Sequence, residues 1–111
     1  PPQDLHRLQP LLHYLAHHYM ESISVERAAQ LLNMSKSHFM RFFRRTTGSA
    51  FVPYLNHFRI SKAQALMAQS PLSIAEVAES VGLCDQSYFS KVFRRINGIG
   101  PREYRNQCRS A

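Results

Sequence analysis

Apolar side chains recur every three or four residues through nearly the whole chain, and the two-residue alternation typical of strands is almost absent. The sequence therefore predicts an all-α fold of seven helices. A first helix from about Leu5 to Tyr19 places Leu5, Leu8, Leu12, Leu15 and Tyr19 on one stripe. A second opens after the N-cap residue Ser24 and buries Val25, Ala28, Ala29 and Leu32. The turn LNMS leads to a third, capped by Ser35 and stopped at Gly48, the residue type that best takes a left-handed C-terminal cap. A longer helix spans about Ala50 to Gln69, with Pro53 tolerated in its first turn. SPLS at 70–73 ends it. Ser73 and Glu76 form a capping box for a fifth helix that repeats the apolar spacing with Ile74, Val77, Ala78 and Val81. The turn VGLCD precedes a sixth helix from Asp85 to about Asn97, ended by Gly98, and Pro101 opens a short seventh through about Gln107.

The chain repeats itself. HFMRFFRRTTG at 38–48 returns as YFSKVFRRING at 88–98, with Phe39/Phe89, Phe43/Phe93, Arg44/Arg94, Arg45/Arg95 and Gly48/Gly98 identical and Arg41/Lys91 conserving charge. Each phrase closes a unit of short helix, tight turn, second helix and glycine. The offset is 49 in the first helix of each unit, as Ala29 against Ala78, and 50 in the second, so the second turn carries one extra residue. The expected layout is a single domain over 1–111: a first helix-turn-helix lobe at 5–48, a linker helix at 50–69 and a second lobe at 73–107.

Two short helices joined by a turn of three to four residues form a helix-turn-helix, whose second helix can lie in the DNA major groove. In the third helix Phe39, Phe42, Phe43 and Thr46 are expected to face inward, leaving Lys36, Ser37, Met40, Arg41 and Arg44 outside; in the sixth, Phe89, Val92, Phe93 and Ile96 face in and Gln86, Ser87, Ser90, Lys91 and Arg94 face out. Neither outer set contains an acid. Arg41 and Lys91 suit guanine O6 and N7, Gln86 suits adenine, and Lys36, Ser37, Met40, Ser87 and Ser90 complete the candidate base-contact set. Arg44, Arg45, Arg94 and Arg95, with His38 and the helix starts at Ser35 and Asp85, form the candidate phosphate-contact set. The linker helix, at about 1.5 Å per residue, spans roughly 30 Å, close to the 34–36 Å between successive major-groove faces on one side of B-DNA.

Charge supports a polyanionic partner. The 111 residues hold 14 Lys and Arg against 7 Asp and Glu, a formal charge of +7. No apolar run reaches the roughly 18 residues of a membrane span, and no signal sequence opens the chain, which points to the cytoplasm rather than to a membrane. Cys84 and Cys108 match no metal or redox spacing and suit free thiols in a reducing compartment. His13 and His17, one helical turn apart, lack further ligands for a metal site, so no metal or cofactor is expected. No histidine has a Ser or Cys at a nucleophile-like spacing, which argues against an enzyme. A helical protein-interaction or RNA-binding module with a basic surface is the alternative. RNA readers usually expose aromatics on a strand face, whereas these fall on inward helical positions. Pro1 in place of Met is the expectation of a piece of a longer protein.

SVERAAQLLNMSKSHFMRFFRRTTG, the linker FRISKAQALM, and SIAEVAESVGLCDQSYFSKVFRRINGIGPREYR with its Gly98, Pro101, Tyr104 and Arg105 ending together resemble the DNA-binding domain of the AraC/XylS family of bacterial transcription regulators, across nearly the full length. The resemblance implies two helix-turn-helix lobes bridged by a helix, binding of double-stranded promoter DNA, contact with RNA polymerase, and location in the bacterial cytoplasm with the nucleoid. It also implies an N-terminal effector-binding or dimerisation domain in most members.

Overall fold

The computed structural model describes residues 2–110, which form seven α-helices: α1 (Pro2–His18), α2 (Val25–Leu31), α3 (Lys36–Thr47), α4 (Phe51–Gln69), α5 (Ile74–Ser80), α6 (Gln86–Asn97) and α7 (Pro101–Ser110). No strand occurs among them. The predicted caps Ser24, Ser35 and Ser73 act as caps, and Asp85, expected to open its helix, is a fourth. The side-chain oxygens of Ser24, Ser35, Ser73 and Asp85 accept from the amides of Arg27, His38, Glu76 and Tyr88 at 3.0–3.1 Å, each satisfying one orphan donor of a first turn. Glu76 completes the box by accepting from the Ser73 amide at 2.9 Å. Gly48 and Gly98 both take φ +82°, and their amides donate to the Arg44 and Arg94 carbonyls at 2.8 Å.

Helix α1 departs from its prediction in extent and in register. It starts at Pro2, runs through Pro10 and ends at His18, leaving Tyr19 outside. Pro10 removes one intrahelical bond, to the His6 carbonyl; both residues lie on the exposed side, where water can replace it. The buried stripe is Leu8, Leu11 and Leu15, whereas Leu5, expected in the core, is 56% exposed and Leu12 is half-buried. At 3.6 residues per turn, Leu11 and Leu15 fall to one side of Leu8 while Leu5 falls to the other, near the free end of the helix. Smaller corrections follow elsewhere. Helix α7 continues to Ser110, Ala50 and Asp85 stand just outside the helices they were expected to open, and Val25, Leu32, Thr46 and Ile96 are only partly buried.

The chain divides into two compact units, one ending at Leu55 and the other beginning at Asn56, so the division falls within α4. In the first, Leu8, Leu11 and Leu15 of α1 pack with Ala28 and Ala29 of α2, with Phe39, Phe42 and Phe43 of α3, and with Phe51 and Leu55. Aromatic edges lock this core: Phe43 meets Phe51 at 5.5 Å and Tyr54 at 5.1 Å, both nearly perpendicular. In the second, Ile60, Ala63 and Met67 of α4 are buried with Val77 and Ala78 of α5, Val81 and Leu83 of the turn, and Phe89, Val92 and Phe93 of α6. Burying each phenylalanine contributes about 1.5–3 kcal/mol, so these rings fix the rotation of α3 and α6.

Candidate nucleic-acid interface

The rings that turn inward leave a polar face outward on both second helices. On α3, Lys36, Ser37, Met40, Arg41 and Arg44 are all exposed, Met40 to 52%. On α6, Gln86, Ser87, Lys91 and Arg94 are exposed, while Ser90 is half-buried where it lines a cleft of about 490 Å³ shared with the start of α7. Of the candidate phosphate set, Ser35, His38, Arg44, Arg45, Asp85, Arg94 and Arg95 are exposed too. The Ser35 and Asp85 side chains cap the amides of His38 and Tyr88, leaving the first amides of each helix without intrahelical partners.

Three side chains are more constrained than the sequence indicated. Lys36 forms an ion pair at 3.0 Å with Glu26 of α2, and this hydrogen bond holds the Glu26 carboxyl below its usual range. The acid missing from α3 itself thus comes from its neighbour. Both partners are more than half exposed, so the pair is weak and separable. The Arg45 guanidinium stands 5.8 Å from the Phe42 ring centre. Arg94 bends toward α7: a β-carbon on buried Gly100 would lie 3.0 Å from its Nη2.

Helix α6 is also pinned near both ends by polar contacts from α4. Asn56 Nδ2 donates to Tyr88 Oη and Gln64 Nε2 to Asn97 Oδ1, each at 3.1 Å. Arg105, nine-tenths buried, donates from Nε to the Met67 carbonyl at 3.3 Å and ties α7 to α4. Sequence reading missed these anchors because each joins residues more than 30 positions apart.

Other expectations concern groups away from this face. Cys84 and Cys108 are free thiols. The His13 and His17 rings meet edge to face at 5.0 Å, and among the described residues no group of three or more His, Cys, Asp or Glu is placed to hold a metal ion. No described helix is long and apolar enough to cross a membrane.

Comparison with known proteins places this geometry. A helix-turn-helix domain family matches residues 28–107. The arabinose operon regulatory protein of Escherichia coli K12 is 33% identical over 109 residues, covering 97% of this chain and 37% of that protein; the MmsAB operon regulatory protein of Pseudomonas aeruginosa is 33% identical over 96 residues, covering 86% and 31%. The chain thus spans about a third of the length of these relatives. Among solved structures, the DNA-binding domain of the global transcriptional factor AdpA, crystallised with a target DNA, superposes with a TM-score of 0.89 at 34% identity, covering 94% of each chain. An AraC-type regulator from Chromobacterium violaceum shares the fold at a TM-score of 0.88 and 23% identity, covering 97% of this chain and 96% of that one. A family match over most of the length, two helix-turn-helix units and the superposition on a DNA-binding domain of this type lead to one assignment: the chain belongs to the AraC-type helix-turn-helix DNA-binding domains of transcription regulators.

Proposed function

We propose that this chain is the DNA-reading part of a longer bacterial transcription regulator, which enters adjacent major-groove segments of promoter DNA with α3 and α6. Base edges are met by Lys36, Ser37, Met40 and Arg41 from the first lobe and by Gln86, Ser87, Ser90 and Lys91 from the second. Arg44, Arg45, Arg94, Arg95 and His38, with the helix starts after Ser35 and Asp85, hold the phosphates and fix the register. The observation that carries this reading is the twofold sorting of α3 and α6, with Phe39, Phe42 and Phe43, and Phe89, Val92 and Phe93, buried on one side and mainly cationic and small polar groups exposed on the other. The role is one of binding rather than catalysis.

In the full regulator this domain works in the cytoplasm on the nucleoid, beside RNA polymerase, and under an effector-binding or dimerisation domain.

Selection of bound duplexes from a random pool tests the proposal. Two blocks of enriched bases about 10 base pairs apart are expected. Enrichment without a base preference, or preference for single-stranded RNA in a parallel pool, would overturn it.

A further inference from the structure

Arg7 lies on α1, outside either helix-turn-helix, yet its guanidinium sits 5.0 Å from the centre of the Phe42 ring of α3. Arg45 of α3 approaches the same ring at 5.8 Å, and the His38 ring meets it edge-on at 6.5 Å. Three exposed basic side chains from two helices are thus gathered around one buried ring on the flank of α3. Neither arginine forms an ion pair among the described residues, and Asp4, one turn before Arg7, does not neutralise it. Two cations within 6 Å of one ring centre, with no acid paired to either, favour an anionic partner on this flank.

The second lobe supplies an internal control. Leu8, Leu11 and Leu15 of α1 match Ile60, Ala63 and Met67 of α4 in spacing and in burial, so Arg59 occupies the place of Arg7. In that lobe Val92 stands at the place of Phe42. Arg59 is only 8% exposed, close to Cys84 and Tyr88, and burial holds its pKa below the ordinary arginine value. One arginine of the repeat is buried within its lobe; the other is exposed and stands over the Phe42 ring.

We infer that Arg7 is a further DNA contact, which with Arg45 grips the sugar–phosphate backbone beside the groove segment entered by α3. The inference rests on the DNA-binding reading given above. Its test is the salt dependence of binding to duplex DNA by the 111-residue chain carrying Arg7→Met, which keeps an apolar stem over Phe42 and removes the charge. Loss of one phosphate contact makes the slope of log K against log salt shallower by about 0.9. The deficit relative to wild type is therefore about 3.5-fold smaller at 200 mM than at 50 mM salt. The weakening is equal on selected and scrambled duplexes, the thermal midpoint is unchanged, and Arg7→Lys restores the slope. Arg59→Met is expected to lower the thermal midpoint and leave the slope alone. An unaltered slope in Arg7→Met, beside a steep one in wild type, sinks this inference and leaves the DNA reading standing. A wild-type chain with no salt-dependent duplex binding removes the reading itself. A slope lost equally in Arg59→Met abolishes the distinction between the two arginines.

Discussion

Replacing Arg41 by alanine separates base reading from charge. Arg41 is exposed and makes no ion pair among the described residues, so its truncation should change folding by no more than about 0.5 kcal/mol. Any loss of affinity then belongs to the interface. If Arg41 makes a bidentate contact with a guanine edge, its removal costs about 1–3 kcal/mol on the preferred duplex, or roughly 5- to 150-fold in Kd. On a scrambled duplex the cost is only the share of one cation in nonspecific attraction. The ratio of preferred to scrambled affinity should therefore collapse in Arg41→Ala, and a pool selected with the variant should lose preference at one base step. Lys91→Ala should do the same at a step about one helical turn, about 10 base pairs, away. Fluorescence anisotropy with labelled duplexes at several salt concentrations gives both quantities. Equal weakening on every sequence, with a shallower salt slope, would make Arg41 a phosphate clamp and refute its assignment to base contacts.

Further expectations follow from local geometry. Gly48→Ala and Gly98→Ala each place a β-carbon in open space at φ +82°, so the cost is conformational alone, about 1–2 kcal/mol apiece and additive between the sites; urea denaturation of the single and double variants measures it. The backbone hydrogen bond from Ser73 holds the Glu76 carboxyl below its usual pKa, so its contribution is present above the unfolded value and is lost as pH falls through the folded one; Glu76→Gln should flatten the decline in urea midpoint below about pH 5. Gly100→Ala displaces only the flexible end of Arg94, so the thermal midpoint should hold while the salt slope of DNA binding falls.

Much of this fold was legible because each level of the sequence agrees with the next. Caps at Ser24, Ser35, Ser73 and Asp85, apolar spacing of three and four, and glycine stops all mark the same boundaries. The outward face of α3 was legible for a related reason: three phenylalanines leave little choice about which side is buried. Helix α1 was harder, because Leu5, Leu8, Leu11, Leu12 and Leu15 allow two overlapping stripes and only packing against α2 and α3 selects between them. Arginines were hardest of all. Arg7, Arg59 and Arg105 are the same residue type on helical positions, yet one lies on a ring, one is buried near Tyr88 and one bonds a carbonyl 38 residues away. Their fates depend on neighbours that no local pattern names.

The two turns show how a small asymmetry can divide labour between the lobes. Asn33 (φ +56°) and Gly82 (φ +89°) are equivalent left-handed residues, and the bonds from Met34 to Ala29 and from Leu83 to Ala78 match at 3.0 and 2.9 Å. The repeat therefore stays in step through Leu83, and the surplus residue is Cys84. After it the cap changes from a neutral Ser35 to an anionic Asp85. As caps the two are nearly equivalent, so Asp85→Ser should leave stability within about 0.5 kcal/mol. As neighbours of a phosphate they differ: the carboxylate opposes the anion that the helix start would otherwise attract. Asp85→Ser should consequently tighten duplex binding at low salt, with the gain fading as salt screens it, and Ser35→Asp should do the reverse in the first lobe. Weaker binding by Asp85→Ser on the preferred duplex alone would contradict this, because it would mean that the Asp85 carboxylate itself accepts from a cytosine amine.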